Sequence, residues 1–142
     1  MSQYTIREIS EKLEIPPSTL RYYEDIGILP NVKRTTSGQR IYEACHMSRL
    51  KTILCFKAAG FSISQLQQFF LFESSEKDHI DAILQLLDTH KASIKKQIIQ
   101  LQEVYIHLVR KIHYYSDMKK AFQQHEVPPQ WENYKHQAFI NE

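Results

Sequence analysis

Between residues 80 and 115 an apolar stripe runs along the chain without once losing register. Ile80, Leu84, Leu87, Lys91, Ile94, Ile98, Leu101, Tyr105, Leu108, Ile112 and Tyr115 follow alternating four- and three-residue steps, and only Lys91 breaks their apolar character. Five heptads of this spacing, with no proline or glycine, predict one long helix carrying a coiled-coil seam. A helix of that length spans roughly 55 Å. The residues in front of it are too few to cover it, so the alternative of an amphipathic helix lying along its own domain is disfavoured. The stripe therefore calls for a second copy, and antiparallel pairing of two chains would make a homodimer. Leu84, Leu87, Ile94, Ile98, Leu101, Tyr105, Leu108 and Ile112 are the expected dimerisation residues.

Composition points the same way. A chain of 142 residues with 42% hydrophobic content can build a real core, while 3 glycines and 5 prolines are few for a turn-rich sandwich or barrel. The expected class is all-α with a small β-hairpin. No apolar stretch approaches the length of a membrane span, and the amino terminus lacks a secretory pattern. Two cysteines, Cys45 and Cys55, do not make a disulfide framework. On one helix they would lie about 15 Å apart, beyond bridging distance. A reducing cytoplasm is the expected setting, with no membrane contact.

The first part of the chain is punctuated more finely. Thr5 and Glu8 have the spacing of a capping box and predict a helix start at Thr5, with Ile6, Ile9 and Leu13 facing inward. Ile15-Pro16-Pro17 should end that helix, because the residue before a proline is pushed out of helical geometry. Pro17 suits the first turn of a second helix, which should run to about Ile26 with Gly27 as its stop. Two short helices joined by a tight turn make a helix-turn-helix. Val32 to Tyr42, with Thr-Thr-Ser-Gly at its centre, reads as a hairpin wing turning at Gly38. A third helix is expected over residues 44–59, ended by Gly60. A second capping box, Ser62 and Gln65, opens a short helix through about Phe72.

In the second helix Ser18, Thr19, Arg21, Tyr22 and Tyr23 gather near the amino-terminal half, the end that a recognition helix presents to base edges. Arg21 can pair bidentately with a guanine edge, and Thr19 can reach a base or a thymine methyl. Tyr22 can give its hydroxyl to a phosphate. Adjacent tyrosines cannot share a face, so Tyr23 is expected to pack or to touch backbone. On the wing, Lys33, Arg34 and Arg40 stand ready for phosphate or an adjacent minor groove. Charge distribution agrees with this placement: residues 1–60 hold more Lys and Arg than Asp and Glu, although the whole chain carries only +2. Double-stranded DNA is the expected partner. From a different class, the chain could be a coiled-coil interaction module whose winged helix binds protein.

The run T-I-R-E-I-S, then T-L-R-Y-Y-E-D-I-G-I-L, then S-G-Q-R-I-Y and A-A-G-F-S-I, resembles the MerR family of bacterial transcription regulators. The resemblance spans about residues 3 to 73, and the long helix fits that family's dimerisation element. It implies a winged helix-turn-helix domain over residues 1–73, whose second wing is the helix pair from Ala44 to Phe72. It further implies a coiled-coil dimerisation helix over 74–120, leaving a tail over 121–142 that the resemblance does not cover. It implies an antiparallel dimer on a palindromic operator, with Thr19, Arg21, Tyr22, Arg34, Arg40 and Tyr42 as DNA contacts by matching position. RNA polymerase at the promoter is the implied further partner, because family members bend and untwist promoter spacers that are too long.

For an effector, several readings stand. The metal-sensing branches use cysteines near and after the dimer helix, and this chain has none beyond Cys55. No two of its seven histidines have the i, i+4 spacing of a helical clamp. No metal and no cofactor is expected. Cys55 sits where the resemblance places the lone cysteine of aldehyde- and thiol-stress-responsive members, with Lys51 and Lys57 near in sequence to favour a thiolate. The alternative is an inert core cysteine. Trp131, Tyr134 and Phe139 could close a small-molecule pocket against the coiled coil, or simply cap its stripe. No catalytic constellation stands out, so the chain is not expected to be an enzyme.

Overall fold

The computed structural model describes residues 2–139, and the chain divides after Lys91 into two compact units. In the first, β1 (Gln3–Tyr4) leads into α1 (Ile6–Leu13) and α2 (Pro17–Asp25). The Thr5–Glu8 capping box forms as expected: Thr5 Oγ1 accepts from the Glu8 amide at 3.1 Å, and Glu8 Oε2 accepts from the Thr5 amide at 2.9 Å. The stop of α1 differs from expectation. Glu14 turns left-handed at φ 55 and donates its amide to Ser10 O, so the helix ends before the prolines are reached. Pro16 and Pro17 instead set the entry of α2, with Pro17 at its first helical position. Gly27, at φ 84, takes the chain out of α2 in a conformation that glycine adopts without strain.

The wing is a hairpin of β2 (Lys33–Arg34) and β3 (Arg40–Glu43), closed by Gly38 at φ 87. On its other edge β3 pairs with β1, Gln3 opposite Glu43 and Tyr4 opposite Tyr42, giving a three-stranded antiparallel sheet in the order β1-β3-β2. The first strand was not anticipated. Two residues are too short for any periodicity to show.

Next come α3 (Ala44–Ala58) and α4 (Ile63–Glu73). His46 closes the start of α3, its Nδ1 accepting from the Glu43 amide at 2.9 Å. The proton is thereby assigned to Nε2, which donates to Pro30 O, also at 2.9 Å. Ser62 and Gln65 form the expected box at the start of α4. Arg49 joins these helices to the exit of α2: its Nε donates to Ile28 O at 2.6 Å while its guanidinium lies 3.8 Å from the Phe70 ring centre. Burial lowers the Arg49 pKa, because the charged form loses water.

One core unites these elements, with Ile9, Leu20, Ile28, Leu29, Leu50, Ile53 and Leu66 fully buried. Each such side chain contributes about 1.5–3 kcal/mol relative to exposure. The long helix α5 (Glu76–Gln123) begins within this unit and lays Ile83, Leu86 and Leu87 against the same core. Leu87, expected on the dimer seam, thus has a partner in its own unit, whereas Ile80 and Leu84 stay exposed.

Tyr42 also belongs to the core. It is 0% exposed, and its hydroxyl has no hydrogen-bond partner among the described residues. The expectation that it touches DNA is corrected accordingly, since a ring sealed behind the sheet cannot reach a phosphate. Burial, then Glu24, raises its pKa. An orphaned buried hydroxyl lowers stability, so Tyr42→Phe should hold stability or raise it by about 1 kcal/mol. Urea unfolding checks this, and a clear loss would mean that the hydroxyl has a partner after all.

The second unit holds the remainder of α5 and the tail. The helix stops when His125 turns left-handed at φ 55 and the Glu126 amide returns to Ala121 O at 2.8 Å. The helix thus ends before Val127-Pro128-Pro129 is reached. A single 3₁₀ turn, Trp131–Asn133, then lies against the helix. Trp131 meets His107 and Tyr114 edge-on, at ring distances of 5.8 and 5.6 Å, with Lys111 Nζ 3.7 Å from its ring centre. Tyr134 donates its hydroxyl to Asp117 Oδ2 at 2.6 Å, which raises the Tyr134 pKa. Arg110 Nε donates to Gln137 O at 2.7 Å, and Phe139 stacks on His113 at 4.1 Å. The tail was expected to line a ligand pocket or to cap the seam. In the structure it covers the neighbouring face of the helix, through residues 107, 110, 114 and 117, and leaves the seam bare. Leu101 is 67% exposed, and Ile98, Tyr105, Leu108, Ile112 and Tyr115 are exposed as well.

Candidate nucleic-acid interface

The sequence L-R-Y-Y-E divides cleanly between the two sides of α2. Leu20 and Tyr23 point inward and are buried, while Ser18, Arg21 and Tyr22 point outward and Thr19 is half-buried. Tyr23 therefore packs, as its neighbour's outward face requires. Its hydroxyl accepts from Lys57 Nζ at 3.3 Å, a contact that braces α2 against α3. Arg21 makes no hydrogen bond or salt bridge among the described residues, so its whole donor fork remains available.

Arg21 opens onto a cleft of about 370 Å³ lined by Thr5, Ile6, Arg7, Arg21, Gly38, Gln39 and Arg40. Three elements meet there: the start of α1, the outer face of α2 and the tip of the wing. Arg7 and Gln39 were not singled out from the sequence. Arg7 is exposed and pairs with Glu11 one turn later at 3.0 Å, a contact worth only a few tenths of a kcal/mol at the surface, about what a phosphate could displace. The legible signal for Arg7 was its place in the first turn of a capped helix beside the recognition helix.

The wing cations are not equally available. Lys33 is exposed and reaches Glu43 Oε1 at 3.1 Å. Arg34 is half-exposed; its guanidinium donates to Gly38 O at 3.4 Å and lies 3.8 Å from Glu24 Oε1. Arg40 is more withdrawn. Its side chain is 18% exposed and its Nε donates to Glu24 Oε2 at 2.7 Å. That bond raises the Arg40 pKa. Arg40 was expected to reach phosphate or an adjacent minor groove, with no ion-pair role expected for Glu24; in the structure the two are paired. Spacing held the signal: Glu24 lies four residues after buried Leu20, on the inward side of α2, where an acid needs a cation.

Cys45 and Cys55 are both exposed, so the inert-core alternative for Cys55 is set aside. Lys57, expected near that thiol, is occupied at Tyr23. Among the described residues no group of three or more His, Cys, Asp or Glu side chains could hold a metal ion, and no helix is long and apolar enough to cross a membrane.

Comparison with known proteins agrees with this geometry. Residues 4–72 match the family described as MerR HTH family regulatory protein, and residues 47–110 match the MerR DNA-binding family. An uncharacterized HTH-type transcriptional regulator of Haemophilus influenzae is 30% identical over 116 residues, covering 82% of this chain and 86% of the relative. The uncharacterized HTH-type regulator YyaN of Bacillus subtilis is 32% identical over 135 residues, covering 84% and 96%. Among solved structures, HiNmlR, described as a MerR family regulator lacking the sensor domain and bound to promoter DNA, superposes with a TM-score of 0.76 at 28% identity, over 89% of this chain and 93% of that one. A MerR family regulator from Bacillus thuringiensis superposes at 0.65 with 26% identity, over 79% and 98%. With both family matches, and relatives at least 30% identical over most of either chain, this chain belongs to the MerR family of helix-turn-helix regulatory proteins.

Proposed function

We propose that the chain regulates transcription by binding an inverted-repeat operator in double-stranded DNA as an antiparallel homodimer, one α2 entering each of two successive major grooves. The unengaged Arg21 on the outward face of α2, beside the wing, carries this reading. Ser18 and Thr19 stand beside it for base contact, and Tyr22, Lys33, Arg34 and Arg7 supply the surrounding phosphate contacts. The exposed seam of α5 supplies the pairing surface, and a pair of chains sets the distance between the two α2 helices. A promoter bent and untwisted by such a dimer would present its two elements to RNA polymerase on one face. Deformation of that kind draws on phosphate contacts at flexible base steps.

The alternative, a winged helix that binds protein, lacks a comparable observation. Salt dependence separates the two. Affinity for duplex should fall linearly on a log–log plot against salt, with a slope of about −0.9 for each phosphate neutralised. A flat salt profile, or no duplex binding, would overturn the DNA reading.

For the effector, the reading is a small electrophile captured by the exposed thiol of Cys55. Cys55→Ser should bind DNA as the wild type does and lose any change of affinity on electrophile treatment. A response that survives in the variant would remove Cys55 from this role.

A further inference from the structure

Arg34 and Arg40 stand directly opposite one another in the β2–β3 ladder. Like charges so placed repel and weaken a hairpin. Here the repulsion is answered from another element, because Glu24 projects from α2 between the two arginines. Its Oε2 accepts from Arg40 Nε at 2.7 Å and its Oε1 lies 3.8 Å from Arg34. Glu24 is 22% exposed and Arg40 is 18% exposed. Salt and water screen such a pair less than one in the open. The carboxylate therefore does two things at once. It ties the wing to the helix that carries Arg21, and it holds Arg40 back from the surrounding solvent while drawing on Arg34, which stays half-exposed.

We infer that Glu24 sets DNA selectivity in this protein, as a positioning residue that keeps the wing arginines from indiscriminate phosphate contact. The inference rests on the DNA-binding reading above and deepens it. Phosphate contacts add affinity for every sequence and information about none. A wing whose arginines swing freely therefore strengthens binding to wrong sequences as much as to right ones. A wing locked to α2 delivers its charge only where the recognition helix is already seated. Two positive charges and one negative leave the cluster at +1, and neutralising Glu24 raises it to +2.

The test uses Glu24→Gln, which keeps size and a hydrogen-bond acceptor and removes the charge. The full chain is titrated against the duplex that the wild type enriches from a randomised pool and against a mixed-sequence duplex of equal length. The variant should bind the mixed duplex about tenfold more tightly, with its salt slope steeper by ~0.9 for one further phosphate neutralised. The enriched duplex should gain less, so that discrimination falls. Adding Arg40→Gln to that variant should return the slope to the wild-type value, because the released cation is then gone. A purely structural role would show otherwise: weaker binding to both duplexes with no steepening. That outcome, or an unchanged slope in a variant whose wild type binds well, would overturn the inference while leaving the DNA reading intact. A wild type that binds neither duplex would overturn both.

Discussion

Leu101→Lys should convert the protein from dimer to monomer at concentrations where the wild type is fully paired. Leu101 is the most exposed of the seam leucines and isoleucines that α5 presents, and nothing in its own unit covers it. In a dimer each copy of the substitution removes about 1.5–3 kcal/mol of apolar burial. It also places an ammonium in the seam, where an unpaired charge costs several kcal/mol more unless the stem can carry it to water. Because the change occurs in both chains, the sum exceeds roughly 5 kcal/mol. At 1.4 kcal/mol per factor of ten, the dimer dissociation constant should rise by at least about a thousandfold. Sedimentation velocity reads this directly. Trp131 is the chain's one tryptophan and lies on the neighbouring face of α5, so unchanged emission would show that the second unit remains folded. A variant that stays dimeric with its seam charged would mean that the pairing surface lies elsewhere.

Arg21→Ala carries the second large effect. The guanidinium is exposed on α2 and has no hydrogen-bond or salt-bridge partner among the described residues, so its removal should leave fold and stability unchanged. A good bidentate arginine–guanine contact is worth about 1–3 kcal/mol of discrimination. Affinity for the enriched duplex should therefore fall by about ten- to a hundredfold for each half-site, whereas affinity for mixed sequence should fall far less. A selection repeated with the variant should yield a motif with one position relaxed in each half. Equal losses on both duplexes would make Arg21 a phosphate contact and move base reading to Ser18 and Thr19.

On the inference drawn for Glu24, its role would complement that proposed for Arg21: restraint on binding to wrong sequences beside added affinity for right ones. The same α2 segment thus carries attraction outward and restraint inward, on residues three positions apart.

What could be read in the sequence follows from the range over which each signal acts. The long helix was legible because a 3.5-residue period runs over five heptads with no proline or glycine to interrupt it. Capping boxes at Thr5–Glu8 and Ser62–Gln65 were legible because they are settled within four residues. The split of α2, with Tyr23 inward and Arg21 outward, needed only helical geometry. Contacts between distant segments were not legible. The Glu24–Arg40 pair joins residues sixteen apart, and no local pattern states which cation an inward acid will meet. Strand alternation nevertheless held a warning: Arg40 and Tyr42 lie on one face of β3, so a withdrawn Arg40 and a buried Tyr42 belong together. The match to a family motif had placed Tyr42 on the DNA, and burial decided against it. Tail aromatics announced that Trp131, Tyr134 and Phe139 would cover something apolar, but their spacing could not say which side of α5 they would choose. The hydroxyl of Tyr134 on Asp117, the edge-on contacts of Trp131 with His107 and Tyr114 and the stacking of Phe139 on His113 fixed that choice.

The mass of the complex formed on its own selected duplex tests the central claim most directly. A duplex enriched from a randomised pool is mixed with the wild-type chain, and the complex is weighed by sedimentation equilibrium. The expected result is two chains per duplex, with the enriched sequence an inverted repeat whose half-sites lie about one helical turn apart, roughly 34 Å. One chain per duplex, or an enriched sequence without internal symmetry, would contradict the account.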